Sequence, residues 1–177
     1  IQNISYSTSV TFDGETPETI APITGLAEVQ IPDVGINTIE TVNEDRHQRD
    51  IQIKLYNQSD IELESLAAEQ DYQAYIGFYT DNLCNTPASG ISLLSYDEVS
   101  AQAEQNEFEI PQDRLHLIDN GALVCNFRYA LPADFTNGDQ TLYAKVWIEK
   151  NGEEITEAYS ANNEGSVAFT DPVARNN

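Results

Sequence analysis

The residue types able to do chemistry are few in this chain, and their spacing argues against an enzyme. Two histidines are present, His47 and His116. A nucleophilic hydrolase needs a base beside its nucleophile. His47 falls in a charged connector, while His116 stands between Leu115 and Leu117 in a predicted strand, a setting that suits a sheet surface better than a catalyst. No G-x-S-x-G and no phosphate-cradling glycine loop occurs. Among 30 Asp and Glu, carboxylates fall near one another by chance, so a glycosidase-type pair carries no weight. The expectation is a protein without catalytic residues.

Hard oxygen donors gather at turns: Asp81 and Asn82, Asp119 and Asn120, Asn137 and Asp139, Glu153 and Glu154. If any cofactor is held, calcium is the ion they suit, but it needs six to eight converging oxygens and no D-x-[DN]-x-[DN]-G loop is present. Solvated turn residues, and no cofactor, are the expectation. Cys84 and Cys125 are the two cysteines; a disulfide between them is expected, with two separate buried thiols as the alternative. They are too few for a zinc site, which needs four close ligands. Asn3 and Asn57 head N-x-S sequons and are candidate glycosylation sites. On the faces opposite the core, Tyr75, Tyr79, Tyr143 and Trp147 are candidate aromatics for stacking a sugar or anchoring a protein. The alternative is that both faces of those strands are covered.

Composition sets limits on partners. With 8 Lys and Arg against 30 Asp and Glu, the net charge is −22 and the pI about 4.1 over 177 residues. Such a surface repels phosphate backbones and anionic lipid, so nucleic acid and membrane insertion are excluded as expectations. A basic partner, or solubility in salty surroundings, fits this charge. No long apolar run suggests a transmembrane helix, and the first residues lack the basic and apolar regions of a signal peptide.

The elements that must position these residues are strands. Gln140–Lys150 is the clearest: Leu142, Ala144, Val146 and Ile148 alternate with Tyr143, Lys145, Trp147 and Glu149, a period of two that buries one face. Asn151-Gly152 then predicts a tight hairpin. Ile51, Ile53 and Leu55 alternate likewise, as do Leu123, Cys125, Phe127 and Tyr129, and Tyr72–Thr80 reads as an aromatic strand in which Gly77 marks a bulge or a close backbone approach. Ile61 and Leu63 alternate with glutamates in a short run, and Leu115–Leu117 leads to a turn at Asp119-Asn120-Gly121. Ser95–Gln105 has helical composition but fits an edge strand equally. At the start, Ile4, Tyr6, Val10 and Phe12 alternate with serines and a threonine. The spacing predicts an all-β, two-sheet antiparallel β-sandwich with an N-terminal strand extension, which the family likeness given below makes immunoglobulin-like. Its expected divisions are 1–45 (strand and proline-punctuated extension), 46–171 (sandwich) and 172–177 (tail).

Four stretches carry a family likeness: Ile51–Asn57 (IQIKLYN), Ile76–Asp81 (IGFYTD), Leu131-Pro132 through Val146, and Glu157–Glu164 (EAYSANNE). Across roughly residues 50–170 this pattern resembles CARDB domains, the cell-adhesion-related immunoglobulin-like modules of prokaryotic surface proteins. The resemblance implies an extracellular structural or adhesive module and carries over no ligand residues. The chain departs from the family pattern by the insert between Thr86 and Leu117, its cysteines and its N-terminal extension. Two other functions suit the residues. Ile4, Tyr6, Val10 and Phe12 would serve as a donor strand in a pilus-like filament, and the surface aromatics would serve a carbohydrate-binding module. The expected partner is accordingly another protein, a second copy, or a glycan.

Overall fold

The computed structural model describes residues 4–6, 23–25, 31–45, 47–69, 72–96, 104–132, 140–157 and 159–169. The chain forms two compact units, Ile1–Gln30 and Ile31–Asn177. In the first, β1 (Ile4–Tyr6) pairs antiparallel with β2 (Ile23–Gly25). Ile4 and Tyr6 are thus paired with β2 within their own unit; Val10 and Phe12 lie outside the described residues. The tail at 172–177 does too.

The second unit is an all-β, immunoglobulin-like antiparallel β-sandwich. One sheet has the order β3 (Gly35–Glu44), β4 (Gln48–Tyr56), β8 (Leu123–Ala130), β6 (Ile91–Tyr96). The other has β7 (Glu107–Ile110), β5 (Tyr72–Tyr79) and β9 (Gln140–Lys150), with β10 (Glu153–Glu154) and β11 (Glu164–Phe169) both pairing on the far edge of β9. β3 was expected in the N-terminal extension, but it pairs antiparallel with β4, Glu44 opposite Arg49. Arg49 of the charged connector thus belongs to β4 and is 1 % exposed, its guanidinium donating to the carbonyls of Asp45 and Gln48.

The period-two alternation places the predicted residues inside. Ile51, Ile53, Leu55, Leu123, Cys125 and Phe127 from one sheet meet Ile76, Phe78, Phe108, Leu142, Ala144 and Val146 from the other, and all are buried. Each large side chain so placed contributes about 1.5–3 kcal/mol. At the centre Phe127 meets Phe78 at 4.7 Å between centroids and Phe108 at 5.2 Å, both at steep interplanar angles that suit the ring quadrupoles. Asn151 and Gly152 both take positive φ, 54° and 79°, which closes the β9–β10 hairpin as the dipeptide predicts.

Two short runs read as strand or turn are helical. Leu63–Glu69 is α1, and Leu115–Asp119 is α2, so His116 lies on a helix and not in a strand. In α1, Leu63 packs inward, and Leu66 and Ala67 follow at the three- and four-residue spacing of a helix face; in α2 the buried pair is Leu115 and Ile118. The residues of 97–103, where helix and strand were equally expected, lie outside the described set, while the flanking Ile91–Tyr96 is strand.

Candidate functional site

The outward face of the five-stranded sheet collects the aromatics. Register places Tyr75 opposite Trp147, Gly77 opposite Lys145 and Tyr79 opposite Tyr143. Tyr75 stacks on Trp147 at 5.5 Å and 16°, and Lys145 Nζ sits 5.7 Å from the Trp147 ring while pairing with Glu154 at 2.8 Å. Trp147 Nε1 donates to Glu149 Oε1 at 3.0 Å. A Cβ on Gly77 would lie 2.8 Å from Tyr79 Oη and 3.1 Å from Trp147, so the glycine is where two rings close over the backbone. Gly77 thus marks a close approach; the β5 ladder runs through it without a register shift.

The consequence is that Trp147 and Tyr79 are each only 7 % exposed, whereas Tyr75 and Tyr143 are half-buried. Burial pushes the Tyr79 phenol up to about 12. These aromatics form a self-packed ridge and not an open platform. A sugar needs a bare ring face, and the indole already has Tyr75 stacked on it and Lys145 over it.

Beside this ridge the 80–88 loop projects from the end of β5. Asp81 frames it: its carboxylate accepts the amides of Leu83 (2.9 Å), Asn85 (3.3 Å) and Thr86 (2.6 Å), and Thr80 N donates to Thr86 O at 2.9 Å. Hydrogen bonds from Thr86 above all, then from the Leu83 and Asn85 amides, hold the Asp81 carboxyl below its usual range. Cys84 adopts φ 52°, turning the chain so that Leu83 points out at 71 % exposure. At the same end of the sandwich a cavity of about 570 Å³ is lined, among the described residues, by Thr80, Tyr129, Gln140, Thr141, Tyr143 and Phe169. Tyr143 belongs to both the ridge and the cavity.

The remaining candidates are dispersed. The expected disulfide is not formed: both cysteines are free, Cys84 in the exposed-edge loop and Cys125 turned into the core from β8. Burial raises both thiols, Cys125 the further of the two. Asn57 Nδ2, the atom a glycan would join, donates to Ile61 O and Asp119 Oδ1; Asn3 lies outside the described residues. Two of the calcium turns have their carboxylates committed to amides, Asp81 as above and Asp119 to Leu63 N and Glu64 N; Glu154 pairs with Lys145, and Asn137 and Asp139 lie outside the described residues. Among the described residues no three His, Cys, Asp or Glu side chains gather to hold a metal, and no helix is long and apolar enough to cross a membrane.

What the sequence reading missed is a buried polar cluster. Asp33, Glu157 and Asn163 are 0 %, 7 % and 6 % exposed. The run of Asn162-Asn163 after Glu157 was the available signal, but its partner Asp33 lies more than a hundred residues earlier.

No family model and no curated protein matches the chain, so the CARDB resemblance stands on its quoted residues. Some solved structures are similar in outline. A conjugate transposon protein of Bacteroides vulgatus shares 7 % identity at a TM-score of 0.35, covering 86 % of this chain and 94 % of that one. A conjugative transposon lipoprotein of Bacteroides eggerthii shares 10 % at 0.33, covering 77 % and 92 %. The collagen binding domain of an Erysipelothrix rhusiopathiae surface protein shares 8 % at 0.34, covering 96 % and 58 %. Scores this low carry neither fold nor function, which rest on the geometry above.

Proposed function

We propose that the chain is a non-enzymatic structural or adhesive module of a prokaryotic cell surface that holds a protein partner at the outer face of its five-stranded sheet. The observation that carries this reading is the 80–88 loop. An acidic, strongly polar surface presents Leu83, the most exposed large hydrophobic side chain among the described residues, at the tip of a loop braced by hydrogen bonds from three backbone amides to Asp81. Ordering a contact residue before binding lowers the entropic cost of association, which favours such a tip as an anchor. The Tyr75–Trp147 ridge supplies a stiff floor beside it. The covered indole argues for a protein partner over a glycan, and the pairing of β1 with β2 leaves the donor-strand filament without a specific observation in its favour.

The test is adhesion of beads carrying the chain to a panel of extracellular matrix proteins and glycans. A Leu83→Ser variant that melts like the parent should bind its protein target at least about tenfold more weakly, since such anchors carry 2 kcal/mol or more. Undiminished binding by the variant, or binding to glycans alone, would overturn the assignment.

A further inference from the structure

The loop leading into β11 closes onto the start of β3 through two buried carboxylates. Glu157 accepts Val34 N on Oε2 at 2.7 Å, and Ile148 N (3.1 Å) and Asn163 Nδ2 (2.9 Å) on Oε1. Asp33 accepts Tyr159 N on Oδ1 at 3.1 Å, and Gln58 N (3.2 Å) and Asn162 Nδ2 (2.9 Å) on Oδ2. Successive residues 33 and 34 are thus stitched to the 157–163 segment from both sides. A side chain on Gly35 would stand 2.6 Å from Asn162 Nδ2 and 2.8 Å from the Tyr56 ring, so the amide is inserted against bare backbone.

This arrangement is satisfied on one side only. Every donor is an N–H, and the Oδ1 atoms of Asn162 and Asn163 are buried without a hydrogen-bond partner among the described residues. The N–H donors favour the ionised carboxylates, but the burial of two like charges with no Lys or Arg paired to either among the described residues opposes it, and a proton on Glu157 removes one of the two.

We propose that Glu157 is a proton-operated latch that fixes the Asp33–Val34 segment to the 157–163 loop, tight in acid and loosened as pH rises. The groups around it are consistent with that role. The segment before β3 offers Asp33, a like charge; β9 offers the Ile148 amide, with the neighbouring Glu149 turned to the outer face on Trp147; the 159–163 loop offers amides and the Tyr159 backbone. Burial, with Asp33 adding to it, pushes the Glu157 carboxyl up to about 7 against the opposing hydrogen bonds. The folded state therefore holds this proton more tightly than the unfolded chain does. Its stabilisation is fully present below the unfolded value near 4.5 and is lost as pH rises through about 7.

Carbon-13 NMR of the side-chain carboxyls in the full chain tests this directly, with Glu157→Gln assigning the resonance. The expected result is a near-neutral midpoint, raised further in Asn163→Ala, which removes an N–H donor that favours the ionised form and keeps the proposal testable if the glutamine variant does not fold. Hydrogen-exchange protection of the Val34 and Ile148 amides should fall between pH 5 and pH 8 relative to Ile51 and Ile53 in the β4–β8 ladder, by up to about two orders of magnitude if the whole linkage resides there. A carboxyl titrating in the ordinary range near 4.5, or protection at Val34 that tracks the ladder at every pH, would overturn the latch.

Discussion

At the scale of single residues, the two cysteines show how far alternation reaches. Period two placed Cys125 with Phe127 and Tyr129 on the buried face of β8, and it is there. Alternation cannot say which loop faces it, and Cys84 belongs to a loop shaped by Asp81 rather than by a bridge. Both thiols should therefore be countable. Without reductant, a thiol reagent should label one site in the folded protein, Cys84, slowly because burial raises its thiol, and two after denaturation. No labelling after denaturation would mean that a disulfide exists after all. The ridge repeats the lesson. Tyr79 and Trp147 were legible as outward-facing, but their burial depends on Gly77 having no Cβ to keep the rings apart.

At the scale of elements, the long strands were legible and the short helices were not. A strand of eight to eleven residues repeats its period several times, whereas α1 and α2 contain two turns or fewer and rely on distant support. The N-terminus of α1 is capped by Asp119 at the end of α2, whose carboxylate accepts Leu63 N at 2.9 Å and Glu64 N at 3.2 Å while Asn57 Nδ2 donates to it at 2.7 Å. A cap more than fifty residues away leaves no local signature such as S/T-x-x-E. Asp119→Ala should lower unfolding stability by about 1–2 kcal/mol in urea titration, with the loss centred on α1 amides in hydrogen exchange. An unchanged midpoint would show that the carboxylate is not the cap. The Asp33–Glu157 cluster was hidden for the same reason: Asn162 and Asn163 look like turn residues until β3 is laid beside them.

At the scale of the whole molecule, charge dominates. A net −22 with 8 basic residues leaves most carboxylates without a cationic neighbour, and the repulsion acts against the compact state. Raising sodium chloride from about 10 mM to 150 mM shortens the screening length from about 30 Å to 8 Å, so the thermal midpoint should climb by several degrees. A flat or falling midpoint would mean that the acidic side chains are compensated locally, as Asp50 is by Arg128 at 2.7 Å. What the chain determined by itself is its class and its interior: period-two patterning is a local property, and it decided which residues turn inward wherever a strand was long enough to repeat. What only the tertiary structure decided is everything that depends on two distant segments meeting. The covered indole, the free thiols, the borrowed helix cap and the paired buried carboxylates all arise where strands remote in sequence become neighbours, and no local pattern encodes which partner a side chain will find.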